Sequence, residues 1–153
     1  MNNITYYSFK DISKNITFLN TIEQVNQKII DNKLYDENLK IEIFFLNNES
    51  IYKIYNPLEI LPSKNTYAIT IGSKVIFKMI DFKKNLVYYN QEKIFPYELD
   101  RALIHEVIHT LQMKKYGFFK FYTNIPYWVN EGYPIYISGK SSILNEKNFY
   151  LIY

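Results

Sequence analysis

Only two histidines occur among the 153 residues of this chain, and they stand four apart in His105-Glu106-Val107-Ile108-His109. On an α-helix, positions i and i+4 share one face, one turn apart. Two imidazoles placed that way can grip one metal ion, and the glutamate between them can reach a water bound to that metal. The plain alternative is two solvated histidines on a helix surface.

The length suits one domain with its own core. No repeat, low-complexity tract or Gly/Pro/Ser linker divides it, so 1–153 reads as a single compact domain. The net charge of +3 is spread along the chain and gives no argument for nucleic acid. There is no cysteine, which excludes disulfides, thiolate zinc sites and cysteine nucleophiles. The opening MNNITYYSFKDISKN has no basic start followed by an apolar run, so no signal peptide is read there. No stretch is long and apolar enough to be a transmembrane segment. If Met1 is the native start, a cytoplasmic location is expected. The oligomeric state is not encoded in any recognisable pattern.

Phe18, Ile22, Val25 and Ile29 recur at helical spacing and predict an amphipathic helix over roughly 16–32. Ile41, Ile43 and Phe45 alternate with Lys40, Glu42 and Phe44, which predicts a strand. Ser50 is a candidate cap for a short helical turn to Tyr55, closed by Asn56-Pro57. TYAITI and KVIFKM flank Gly72-Ser73, a two-residue hairpin signal. NLVYY, near 85–89, reads as a further strand or an extended loop. Pro96 is expected to open the next helix, where its missing N–H costs nothing. That helix should run to about Lys115, with Gly117 as its stop. Asn124 is the expected N-cap of a following helix with Pro126 in its first turn. The order predicts an α+β fold with a small, mostly antiparallel sheet.

Two histidines leave a catalytic zinc site one protein ligand short. Only Glu131 and Glu146 are acidic after Glu106. Glu131 lies in Trp128-Val129-Asn130-Glu131-Gly132, on the helix predicted to follow, and is the stronger candidate. Glu146 lies in a polar tail without clear patterning.

With HEVIH and the downstream WVNEG, the sequence resembles the gluzincin metallopeptidases, and in element order the peptidase MA-like domains. The resemblance covers roughly 16–139 and is specific in those two motifs. It implies a zincin-like fold, with the hairpin packed on the N-terminal helix and the HExxH helix. It implies His105, His109 and Glu131 as ligands of a Zn2+ cofactor, and Glu106 as the general base. The implied reaction is peptide-bond hydrolysis by water activated between zinc and Glu106, on a peptide or protein substrate. It further implies that a strand beside the metal-bearing helix pairs with substrate backbone, and KVIFKM is the strand expected to do so. The N-terminus-binding motif of the zinc aminopeptidases is missing, and no aminopeptidase specificity is carried over.

Pro134 departs from the family pattern. It should kink or stop its helix, because its ring meets the carbonyl of Asn130. With 16 tyrosines in the chain, none of Tyr133, Tyr136, Tyr150 or Tyr153 stands out as an oxyanion donor. Trp128 is expected to pack in the core, and Phe118 and Phe119 to be buried under a solvated turn carrying Lys114, Lys115 and Lys120. Glu98 and Asp100 suit the positive end of the HExxH helix and receive no catalytic role. Thr110 and Gln112 adjoin the second ligand, and either is a candidate to hydrogen-bond to it, though nothing further in the sequence supports such a bond. A different class of function is an inactive, zinc-stabilised binding or regulatory module derived from a peptidase. The intact Glu106 speaks against it, while the short C-terminal part and Pro134 speak for it.

Overall fold

The computed structural model describes residues 3–48, 51–52, 66–88 and 96–139. The helix expected near 16–32 is α1, Ile16–Ile30. Asn15 caps it by accepting a hydrogen bond from the Phe18 N–H at 3.1 Å. The expected strand is β2, Ile41–Phe45, with Ile41, Ile43 and Phe45 buried. The hairpin forms as read, with β3, Ala68–Ile71, antiparallel to β4, Lys74–Phe77, across Gly72-Ser73. Gly72 takes a positive φ of 60°, which the tight turn requires. Of the turn read from Ser50 to Tyr55, only Ile51 and Tyr52 are described, and both are helical. Its cap, its end and Asn56-Pro57 lie outside the described residues.

The main sheet is mixed where the sequence suggested mostly antiparallel pairing. Its order is β1-β2-β4-β3, with β1, Ile4–Ser8, parallel to β2 and β2 parallel to β4. Two of its three pairings are parallel, and one of these is made by β1, a five-residue strand that the sequence expectations did not include. The chain returns from β1 through α1, and such a crossover makes neighbouring strands parallel. A second, antiparallel sheet joins β5, Ile80–Asp81, β6, Leu86–Tyr88, and β7, Pro96–Glu98. Pro96 therefore begins a strand and does not open a helix. At a strand's first position a proline's fixed φ fits and its missing donor is tolerated.

The HExxH helix is α2, Leu99–Tyr116. It ends at Gly117, whose φ of 85° is open to glycine and whose N–H bonds to the Met113 carbonyl at 2.9 Å. Three short helices follow: α3, Phe118–Thr123, α4, Tyr127–Asn130, and α5, Gly132–Ser138. Asn124 closes α3 and does not cap α4, because the chain turns helical again directly after Gly117. Among the described residues, no helix is long and apolar enough to cross a membrane.

Strand alternation sorts the sheet into two faces. Ile41, Ile43, Phe45, Ala68, Val75 and Phe77 face one core with α1 and α2. Leu46, Tyr52, Ile69 and Ile76 form a smaller cluster on the other side. Thr70 follows Ala68 by two and so shares the face toward α2. Phe45 is the hub of the larger core, 5.6 Å from the Phe18 ring, 5.6 Å from Phe77 and 5.5 Å from Phe82. Phe45→Ala is expected to cost about 3–5 kcal/mol. A lowered urea midpoint with an unchanged slope would show it, and a loss below about 1 kcal/mol would contradict the packing described.

Candidate metal centre

Burial of α2 is nearly complete from Ala102 to Met113, with only His105 partly exposed. Its apolar positions Leu103, Val107, Ile108 and Leu111 join the core. Its polar positions Glu106, His109, Thr110 and Gln112 are equally buried, so each must find a partner inside the protein. The helical spacing brings the His105 and His109 Nε2 atoms to 3.0 Å of each other. Glu131 Oε2 lies 3.4 Å from His105 Nε2 and 3.7 Å from His109 Nε2.

Glu131 reaches this point from a break in its helix. It sits between α4 and α5, with φ −94° and ψ −38°. The break expected from Pro134 therefore falls three residues earlier than the proline itself. Pro134 occupies the first turn of α5, where no intrahelical donor is needed. A helix continued through Asn130 would have met the proline ring. The interruption turns the Glu131 carboxylate onto the histidines, and α5 packs along α2.

Two further side chains bond to His109 and to Glu106. Gln112 Oε1 lies 3.2 Å from His109 Nδ1, and Gln112 Nε2 donates to the Val129 carbonyl at 2.9 Å. The Thr70 hydroxyl donates to Glu106 Oε2 at 2.5 Å and lies 3.4 Å from the Glu106 carbonyl. The Thr110 hydroxyl donates to the Glu106 carbonyl at 3.5 Å. Phe121 packs edge-on against the His109 ring at 5.7 Å. The Tyr122 hydroxyl donates to the Thr70 carbonyl at 3.4 Å.

His105, His109 and Glu131 can hold a metal ion, each offering one ligand atom within 4.8 Å of the others. Ligands at roughly 2.0–2.2 Å from a tetrahedral ion stand about 3.3–3.6 Å from one another. The separations of 3.0, 3.4 and 3.7 Å bracket that edge. Two nitrogens and one carboxylate form a donor set that suits zinc, with a fourth position left for water or substrate. Asn130 Oδ1, beside Glu131, is a buried acceptor without a hydrogen-bond partner among the described residues.

The charges respond to one another. Burial alone would lower the His109 pKa, but the neighbouring Glu131 carboxylate and the negative charge of Glu106 raise it above its usual value. Burial alone would raise the Glu131 carboxyl, but both histidines hold it well below the ordinary carboxylate range.

Several sequence expectations are corrected here. Trp128 is 75 % exposed and outside the core, because α4 is a single turn ending at the Glu131 break. Phe119 is 82 % exposed and Phe118 is also exposed; Phe121 takes the buried position of that segment. KVIFKM cannot offer a free edge, because β4 lies between β2 and β3. The sheet edge nearest the site is β3. Tyr133 donates to Asn32 Oδ1 at 3.3 Å, and Tyr136 is exposed. Tyr150, Tyr153 and Glu146 lie outside the described residues. Thr70 and Tyr122 were not read from the sequence, and nothing local in it marks them. Comparison with protein-family models, with curated proteins and with solved structures finds no match to this chain.

A histidine with a raised folded pKa stabilises the fold below its unfolded value, and that contribution is lost as pH rises through the folded value. A carboxylate with a lowered folded pKa stabilises above its unfolded value and loses this as pH falls through the folded one. With ordinary values of 6.5 and 4.5, both contributions are complete between those two pH values. The metal-free chain should therefore unfold at its highest temperature in that window. Thermal unfolding in chelator across pH tests it, and a midpoint that climbs steadily through neutral pH would contradict it.

Proposed function

We propose that this protein is a zinc-dependent peptidase of gluzincin type, with His105, His109 and Glu131 as metal ligands and Glu106 as general base. The observation that carries the reading is the convergence of Glu131 on both histidines from a separate helix. A glutamate buried between the ligands and held by a hydroxyl supports it further. Bound zinc would supply Lewis acidity and a water of lowered pKa. Glu106 spends Oε2 on the Thr70 hydroxyl, which leaves Oε1 to accept the proton as water attacks the peptide carbonyl. The same carboxylate then hands the proton to the leaving amine. Substrate backbone is proposed to align along β3, whose second edge carries no further strand among the described residues. A purely structural metal site has no use for a buried, oriented carboxylate between its ligands, which favours the enzyme over the inactive module.

The protein is expected to bind one zinc per chain. Glu106→Gln should keep the metal and lower hydrolysis of a peptide library by about 10²–10⁴-fold. Glu131→Ala should weaken zinc binding. A chain that stays metal-free in zinc-containing buffer would sink the reading, and a metal-loaded chain that cleaves nothing would favour the binding module.

Thr70→Val should lower kcat by about 10-fold or more while leaving KM little changed, and Thr70→Ser should retain most of the rate. Steady-state kinetics on a cleaved peptide separates the two, and equal rates for Val and Ser would remove Thr70 from the mechanism.

A further inference from the structure

We propose that Gln112 is a positioning residue that joins the two halves of the ligand set, fixing the His109 proton on Nδ1 and tethering the backbone that carries Glu131. The proposal rests on the metal-centre reading above and assigns a role that the HExxH and WVNEG motifs do not contain. Its logic is one of donors and acceptors. The Val129 carbonyl can only accept, so the Gln112 atom 2.9 Å from it must be the amide nitrogen. The amide oxygen then faces His109 Nδ1 at 3.2 Å. An oxygen acceptor there requires the imidazole proton on Nδ1. The neutral ring consequently presents the bare lone pair of Nε2 to His105 and Glu131, which is the form a metal ligand needs.

The second contact acts on the other ligand helix. Val129 lies on α4, two residues before Glu131 at the break. Held at its carbonyl by α2, this turn cannot drift away from the histidines without releasing Gln112. Because Gln112 is 1 % exposed, water does not replace either bond. The site thus demands one planar group with an acceptor at one corner and a donor at the other. Glutamate has no donor at neutral pH, methionine has neither function in strength, and asparagine is one carbon too short for the same reach.

Nitrogen-15 NMR of the His109 ring in the unaltered, chelator-treated protein at alkaline pH tests the tautomer without any metal. The expected spectrum shows the proton on Nδ1, and a proton on Nε2 overturns the proposal. Zinc affinity, measured by competition with a chromophoric chelator, tests the coupling. Gln112→Met should weaken zinc binding about 10–100-fold and let both tautomers appear. Gln112→Glu keeps an acceptor for Nδ1 and should retain the Nδ1–H tautomer while binding zinc more tightly than the Met variant. A Met variant that binds zinc within twofold of the parent, or equal affinities for Met and Glu, overturns the role. If the parent protein binds no zinc, the metal reading fails, while the tautomer measurement still decides the part concerning Gln112.

Discussion

The buried polar stripe of α2 governs the rest of the molecule. Glu106, His109, Thr110 and Gln112 sit within a helix whose remaining faces are packed against hydrophobic side chains. Groups of this kind are costly to bury unless every donor and acceptor is met. Their partners come from distant parts of the chain: Thr70 from the edge strand, Val129 and Glu131 from the interrupted helix that follows. Satisfying the stripe therefore fixes how the sheet and the C-terminal helices dock on α2. The candidate metal centre is the place where these constraints meet.

The interruption between α4 and α5 shows how a local defect serves the site. A continuous helix would have carried Trp128 and Glu131 on neighbouring positions of one face. The proline in the first turn of α5 prevents that continuity, and the break lets Glu131 turn inward while Trp128 stays in water. Metal binding would then add to the stability of this junction, since a ligand that binds only the folded state stabilises it.

Strand β3 has two duties in this arrangement. Its side-chain face delivers the Thr70 hydroxyl to Glu106, and its backbone edge carries the carbonyl that accepts from Tyr122. One residue of β3 thus joins Glu106 on one side and Tyr122 on the other. Movement of that strand would be felt at Glu106.

Much of this was legible in the sequence because it is written in short range. The 3.6-residue period of α1, the alternation of β2, the Gly72-Ser73 hairpin and the stop at Gly117 are local conformational preferences, and the structure contains each of them. The spacing of His105 and His109 settles their common face for the same reason, and a second carboxylate-bearing segment after them left Glu131 as the stronger candidate. The parallel placement of β1, the strand at Pro96, the extra helix after Gly117 and the exposure of Trp128 were decided by tertiary structure. They depend on which distant segment occupies each neighbouring position, and propensity does not encode that. Thr70 belongs to the same group, whereas Gln112 was a candidate beside the second ligand whose two partners only the fold supplied. An ordinary threonine and an ordinary glutamine acquire meaning only when folding sets a carboxylate, an imidazole and a carbonyl within hydrogen-bond reach of them.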